Sequence, residues 1–153
     1  MKKILLQSLI PLCVLMLFSC KSNKGNSSKI ASKQITVTMV SEYCGGANPS
    51  AEVLEDLKKP KPAGNMDLVL VDNEKQIPFA TDENGLSSIS LKPGKYQIFL
   101  AEKLDATAYS ANVEAICDKW KAKPNGSLEV LKGQDSIEVE ISKDCNPCNQ
   151  PSY

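Results

Sequence analysis

From Gln34 onward, apolar and polar residues fall into a period of two. Ile35, Val37 and Met39 alternate with Thr36 and Thr38, as in a strand with one buried face. Met66 to Val71 is almost continuously apolar, the pattern of a more central strand. Ile77 and Phe79 follow the turn residues Asp72, Asn73 and Glu74, and Pro78 between them predicts an edge strand or a short one. Thr81-Asp82-Glu83-Asn84-Gly85 is a turn signal ahead of Leu86 to Leu91, and Lys92-Pro93-Gly94 turns the chain into Tyr96 to Leu100. Leu128 and Val130 mark a sixth strand. Lys132-Gly133-Gln134 leads into Ile137, Val139 and Ile141, the cleanest alternation in the chain. Seven short strands with Gly and Pro turns predict an all-β sandwich.

Two segments break the strand spacing. Ser50 to Lys59 reads as a short helix stopped by Pro60. Residues 102–126 hold a second helix candidate, with Tyr109, Val113, Ile116 and Trp120 at offsets of four, three and four. Such a stripe predicts a helix laid on the sandwich rather than a ligand box. One or two short helices in long loops are therefore expected at one pole.

The first residues follow neither period. Met1-Lys2-Lys3 is a short positive start, and Ile4 to Phe18 is mostly apolar with Pro11 inside it, the layout of a secretory signal. The segment Leu17-Phe18-Ser19-Cys20 resembles the lipobox of lipoproteins from Gram-negative bacteria. That resemblance implies cleavage before Cys20, a diacylglycerol on the Cys20 thiol and a fatty acyl chain such as palmitate on the new amino terminus. Several acyl chains on one residue anchor a protein stably where one does not. The competing reading is an ordinary signal peptide with a chance cysteine. Residues 1–19 are thus expected to be a signal peptide and 20–33 a flexible tether. Residues 34–148 would form the sandwich, and 149–153 a tail. The tether carries Lys21, Lys24, Lys29 and Lys33 among Ser, Asn and Gly, with no acid. Neither an Asp after Cys20 nor an acidic cluster follows the lipobox, which favours an outer-membrane protein facing the periplasm.

Thr81-Asp82-Glu83-Asn84-Gly85 followed by Leu91-Lys92-Pro93-Gly94-Lys95-Tyr96 resembles the hairpin of carboxypeptidase regulatory-like, prealbumin-like domains. The likeness extends over about residues 34–142, with its specific motifs confined to 81–96. It implies a seven-stranded sandwich of the kind found as an accessory module on secreted enzymes and receptors, with no catalytic residues of its own. Tyr43-Cys44-Gly45-Gly46-Ala47 and the closing Cys145-Asn146-Pro147-Cys148 also resemble segments of small bacterial lipoproteins that carry such a domain. The helical insert before the sixth strand and the cysteines depart from the family pattern.

If seven strands simply alternate up and down, the first ends beside Cys44, the fifth runs into the insert bearing Cys117, and the seventh ends at Cys145 and Cys148. All four cysteines then meet at the pole opposite the tether. In an exported chain an even cysteine count reads first as disulfides. Cys44 and Cys117 are each expected to pair with one of Cys145 and Cys148. A loop of about 100 residues closed this way would contribute roughly 4–5 kcal/mol in the chain-entropy model. A four-thiolate zinc site has the ligand number but only one Cys-x-x-Cys, and a thioredoxin-like pair would need a helix after the motif.

Charge and composition narrow the chemistry. The precursor has zero net charge; loss of residues 1–19 removes Lys2 and Lys3 and leaves 16 lysines against 18 acids, near −2. The chain has no His and no Arg. That removes the commonest general base and metal ligand, bidentate phosphate clamps, and a basic nucleic-acid footprint. Glu52, Glu55 and Asp56 read as a solvated helix face. Asp82, Glu83 and Asn84 fail the calcium-loop spacing and read as a turn. Gly45-Gly46 lacks the context of a phosphate loop and reads as backbone freed beside a crowded disulfide. No catalytic residue, cofactor or metal site is assigned. The expectation is a non-catalytic envelope module for a protein or glycan partner, with metal or thiol handling by the clustered cysteines as the alternative. An enzyme working through carboxylates and Lys alone would leave no short motif.

Overall fold

A computed structural model describes residues 31–73 and 75–149. The predicted signal peptide, Cys20, all but the end of the tether and most of the tail lie outside the described residues. The elements run β1 (Ala31–Ser41), α1 (Ala51–Leu57), β2 (Lys61–Pro62), β3 (Asp67–Asp72), β4 (Lys75–Ala80), β5 (Leu86–Leu91) and β6 (Gly94–Leu100). Then come α2 (Ala101–Asp105), a 3-10 turn (Ala111–Val113), α3 (Glu114–Ala122), β7 (Gly126–Val130) and β8 (Ser136–Lys143).

These strands form two four-stranded sheets. In the first, β1 is central. From Gln34↔Ser136 to Ser41↔Lys143 it pairs in parallel with the whole of β8. Its other edge pairs antiparallel with β5 from Ala31↔Leu91 to Thr36↔Leu86, and then with β2 at Thr38↔Pro62 and Met39↔Lys61. The changeover falls at Val37, whose N–H donates to Gly85 O at 2.8 Å and whose carbonyl accepts from Ala63 N at 3.0 Å. A Cβ on Gly85 would lie 2.4 Å from Val37 O, and its φ is +77°, so only glycine fits the handover. The second sheet, ordered β4-β3-β6-β7, is antiparallel throughout.

The period-two pattern becomes the core. Ile35 and Val37 of β1 and Ile137 and Ile141 of β8 share a buried cluster with Leu68, Leu70, Ile98, Leu100, Leu128 and Val130 of the second sheet. Strand β3 is buried on both faces, because Val69 lies in a row with Pro78 and Phe99 on the face opposite Leu68 and Leu70. That is why its sequence reads almost continuously apolar. Pro78 lies on β4, which pairs only with β3 in its sheet and is an edge.

The two halves of the Thr81–Tyr96 segment each fasten a turn. Thr81 Oγ1 donates to the Ala63 carbonyl and accepts from Met66 N at 3.0 Å, holding the link between the sheets. Asp82 Oδ1 accepts from Asn84 N at 2.9 Å and Leu86 N at 2.8 Å. The Asp82 carboxylate is thus turned onto backbone, as its turn reading expects. Tyr96 is buried and its hydroxyl donates to Lys92 O at 2.9 Å across the Lys92-Pro93-Gly94 turn.

Several boundaries differ from the sequence reading. Among the described residues the strand count is eight, not seven, because Lys61–Pro62 forms β2 without any apolar alternation. The extra strand leaves the parity intact, since β5 remains antiparallel and β8 parallel to β1. β1 starts at Ala31, inside the stretch expected to be tether. Lys33 has the parity of Ile35 and Val37 and is 4 % exposed, with its ammonium on the Gln134 carbonyl and 3.8 Å from Asp135. Its long stem covers apolar surface while its head reaches the sheet's end. Among the described residues three helices and a 3-10 turn replace the one or two helices expected. In the insert, Val113, Cys117 and Trp120 are buried, whereas Tyr109 and Ile116 are 46 % and 57 % exposed. Helix α3 begins only at Glu114, and Cys117 rather than Ile116 turns inward.

Candidate functional site: the disulfide-tied pole

Strands β1 and β8 run in parallel and end together, so the residues that follow them emerge side by side. Glu42 N donates to Lys143 O at 3.1 Å, extending the ladder by one bond. Just beyond, Cys44 and Cys145 form a disulfide with 5.4 Å between their Cα atoms. A second disulfide joins Cys117 of α3 to Cys148, with Cα atoms 4.9 Å apart. Each of Cys44 and Cys117 therefore takes one cysteine of the C-terminal pair. A disulfide sulfur is not a thiolate ligand, so the four cysteines do not make the zinc site considered from the sequence. Among the described residues no group of three or more His, Cys, Asp or Glu is arranged to hold a metal ion.

The two bonds sit in different surroundings. Cys117 and Cys148 are 1 % and 0 % exposed and form a small core with Trp120, flanked by Ala106 and Ala108. The backbone closes around Cys148, whose carbonyl accepts from Tyr109 N at 3.1 Å and whose N–H donates to Asn146 Oδ1 at 2.8 Å. Cys44, by contrast, lies in an exposed loop and Cys145 is half-buried. A Cβ on Gly45 would fall 2.3 Å from the Tyr43 hydroxyl, the end of an exposed side chain that can swing aside, while Gly46 has open space. The crowding comes from the tyrosine side chain rather than from the disulfide, which corrects the reading of that glycine pair.

Two residues without a sequence signal organise the pole. Asn125 is 4 % exposed and lies between the ends of both sheets. Its Nδ2 donates to Ser142 O at 2.7 Å, and its Oδ1 accepts from Leu100 N at 3.1 Å. Its own N–H donates to Ile98 O and its carbonyl accepts from Ser142 N, both at 2.8 Å. β6 and β8 thus finish at one pole. The other residue is Lys103 of α2, which is 0 % exposed with its Nζ 4.8 Å from the centre of the Trp120 ring. Neither Lys103 Nζ nor Trp120 Nε1 has a hydrogen-bond partner among the described residues. Burial lowers the Lys103 pKa; Asp144 opposes the shift and Lys123 adds to it. Asp144 is itself engaged by Lys123 at 2.8 Å, which raises the Lys123 pKa.

Lys103 therefore stabilises the fold less than an apolar residue of its length would. Its folded pKa is below the unfolded value, so the unfolded chain holds its proton to higher pH. The penalty is complete below the folded pKa and fades as pH rises towards 10.5. Lys103→Met keeps the stem over Trp120, exchanges the cation–π contact for a sulfur–aromatic one and removes the buried charge. It is expected to raise stability at neutral pH by about 1 kcal/mol and to flatten the alkaline part of the stability profile. Denaturant unfolding of both proteins from pH 7 to pH 10 measures this; an unchanged slope would refute the assignment.

The remaining sequence candidates are dispersed. Glu55 pairs with Lys58 at 3.2 Å and Asp56 with Lys61 at 2.6 Å on the exposed helix α1. The Lys61 ammonium lowers the Asp56 pKa, as it would for any solvated ion pair. Beside Cys117 a surface cleft of about 460 Å³ is lined by small residues with Glu114, Asp118 and Lys121 at its edge. Lys121 Nζ donates to Ala106 O at 2.7 Å, so this cation props the cleft wall. No helix among the described residues is long and apolar enough to cross a membrane.

No protein-family model matches the chain, and no curated protein does. Among solved structures, it is similar to a DUF3823 family protein from Bacteroides ovatus at 15 % identity, with a TM-score of 0.33 over 71 % of this chain and 44 % of that one. A DUF3823 family protein from Parabacteroides merdae matches at 15 % identity, with a TM-score of 0.32 over 72 % of this chain and 47 % of that one. The chain spans less than half the length of either.

Proposed function

We propose that this chain is a lipid-anchored accessory module of a bacterial cell envelope, carrying a carboxypeptidase regulatory-like sandwich and presenting its disulfide-tied pole to a protein or glycan partner. The observation that carries the reading is the order of parts along β1. The Leu17-Phe18-Ser19-Cys20 motif precedes β1, and β1 then runs eleven residues to the pole where Cys44 meets Cys145. At about 3.3 Å per residue, β1 separates its anchored end from that pole by roughly 35 Å. A module held at Cys20 would therefore display the disulfides away from the lipid surface.

The module is non-catalytic in this reading, which rests on a chain without His or Arg. The absence of an Asp or an acidic cluster after Cys20 favours the outer membrane with the module facing the periplasm, and the disulfides suit an oxidising compartment. Metabolic labelling with a radioactive fatty acid tests the anchor in the producing cells. Wild-type protein should carry label and Cys20→Ala should carry none; an unlabelled wild type, or label surviving the substitution, refutes it. Protease added to intact cells then reports the face, since a periplasm-facing chain is protected until the outer membrane is opened.

A further inference from the structure

Cys145 and Cys148 are three residues apart, yet one belongs to an accessible disulfide and the other to a sealed one. Cys44 is exposed and Cys145 half-buried, whereas Cys117 of α3 and Cys148 are buried in one cluster with Trp120. Thiol–disulfide exchange requires an attacking thiolate to reach a sulfur, so access governs which bond reacts first. The Cys44–Cys145 bond also fixes a segment that little else holds. Helix α1 has no buried residue, and Val53 and Leu54 on it are 43 % and 40 % exposed. Its ion pairs, Glu55 with Lys58 and Asp56 with Lys61, stay within the segment or reach its own C-terminal neighbour. Beyond it, β2 rejoins the sheet through only two register pairs.

We propose that Cys44–Cys145 is a reducible clasp. A dithiol reductant opens it in the folded protein, leaves Cys117–Cys148 intact and releases residues 43–60 as a mobile arm bearing the apolar side of α1. In the first step a thiolate of the reductant attacks Cys44 Sγ, forming a mixed disulfide, and Cys145 leaves as a thiolate that takes up a proton. The reductant's second thiol then displaces Cys44, which is protonated in turn. Two electrons pass from the dithiol, which departs as its own disulfide, to the protein, which holds two thiols. This chemistry goes beyond the proposed function and requires neither the lipid anchor nor a bound partner.

The test uses the oxidised mature chain in native buffer with dithiothreitol. Samples are quenched with iodoacetamide and mapped by peptide mass spectrometry. Cys44 and Cys145 should be alkylated at least about tenfold faster than Cys117 and Cys148. The selectively reduced protein should be cut by trypsin after Lys58 at least about tenfold faster than the oxidised one, with the near-ultraviolet signal of Trp120 unchanged. Equal alkylation of all four cysteines, or selective reduction without faster cleavage at Lys58, would overturn the proposal. Cys44→Ser/Cys145→Ser should reproduce the fast cleavage without reductant while keeping the Trp120 signal, and a variant with that signal but a protected Lys58 would overturn it too. If the variant loses the signal, the reduced wild type decides.

Discussion

Replacing Cys117 and Cys148 together by Ala is expected to lower the unfolding free energy by about 5 kcal/mol, the larger part from the unfolded chain and the rest from the core. The bond spans 31 residues, for which loop closure contributes roughly 3.5–4 kcal/mol. Both sulfurs are buried against Trp120, and removing them leaves a void costing about a further 1 kcal/mol. The Cys44–Cys145 bond spans 101 residues, and by loop closure alone it would rank first, at roughly 4–5 kcal/mol. It lies, however, just past a parallel ladder that runs without a break to Ser41↔Lys143, and Cys44 is exposed, so its loss opens little core. The two losses should also differ in kind. Without Cys117–Cys148, α3 and the turn at Asn146 lose their covalent tie, so Trp120 should become accessible to a quencher before the sheets unfold. Urea unfolding followed by both Trp120 fluorescence and far-ultraviolet circular dichroism checks this. Coincident transitions with a loss under about 2 kcal/mol would show that α3 is held mainly by packing.

What the sequence made legible was whatever repeats. Ile35 and Val37, or Ile137 and Ile141, announce a strand because each buried residue is followed by one facing out, and the core is built from those positions. The cysteine pole was legible for a related reason: strand direction alternates, and β1 and β8 keep the same direction despite an additional strand. The features that escaped do not repeat. Lys61–Pro62 becomes β2 only because the edge of β1 beyond Val37 needs a partner, which no local pattern records. Lys103 looks like any solvated lysine until α2 and α3 close over it. In the insert, the spacing of Val113 and Trp120 correctly marks an inward face. Cys117 takes the position between them because its bond to Cys148 turns it inward, and Ile116, one residue earlier on α3, is carried round to solvent. Asn125 sits in Lys123-Pro124-Asn125-Gly126, which reads as a plain turn.

Asn125→Ala should destabilise the protein by about 3–4 kcal/mol, an unusually large loss for a residue in a turn. The backbone bonds of residue 125 survive that change, but its two side-chain bonds do not. Leu100 N–H, on a residue 1 % exposed, loses its acceptor, and Ser142 O loses its donor. An unsatisfied buried backbone group costs about 1–3 kcal/mol. Leu100 N–H is buried and Ser142 O part-buried, and the two sit at the ends of different sheets, so the larger loss at Leu100 is joined by a smaller one at Ser142. Asn125→Asp separates the roles. It keeps an oxygen for Leu100 N–H but turns a second oxygen towards Ser142 O, so at pH 7 it should be at least as damaging as Ala. Burial and the facing carbonyl both disfavour the carboxylate, so the folded pKa of Asp at this position should lie above its unfolded value of about 3.9. The folded state then binds the extra proton, and stability relative to Asn125→Ala should rise as pH falls through that raised pKa. Below it, a protonated Asp can donate to Ser142 O as the amide does. Chemical denaturation of the two variants at pH 7 and pH 4.5 measures the difference. If the gap between Asp and Ala is the same at both, Asn125 joins the sheets through its backbone and its side chain only fills space.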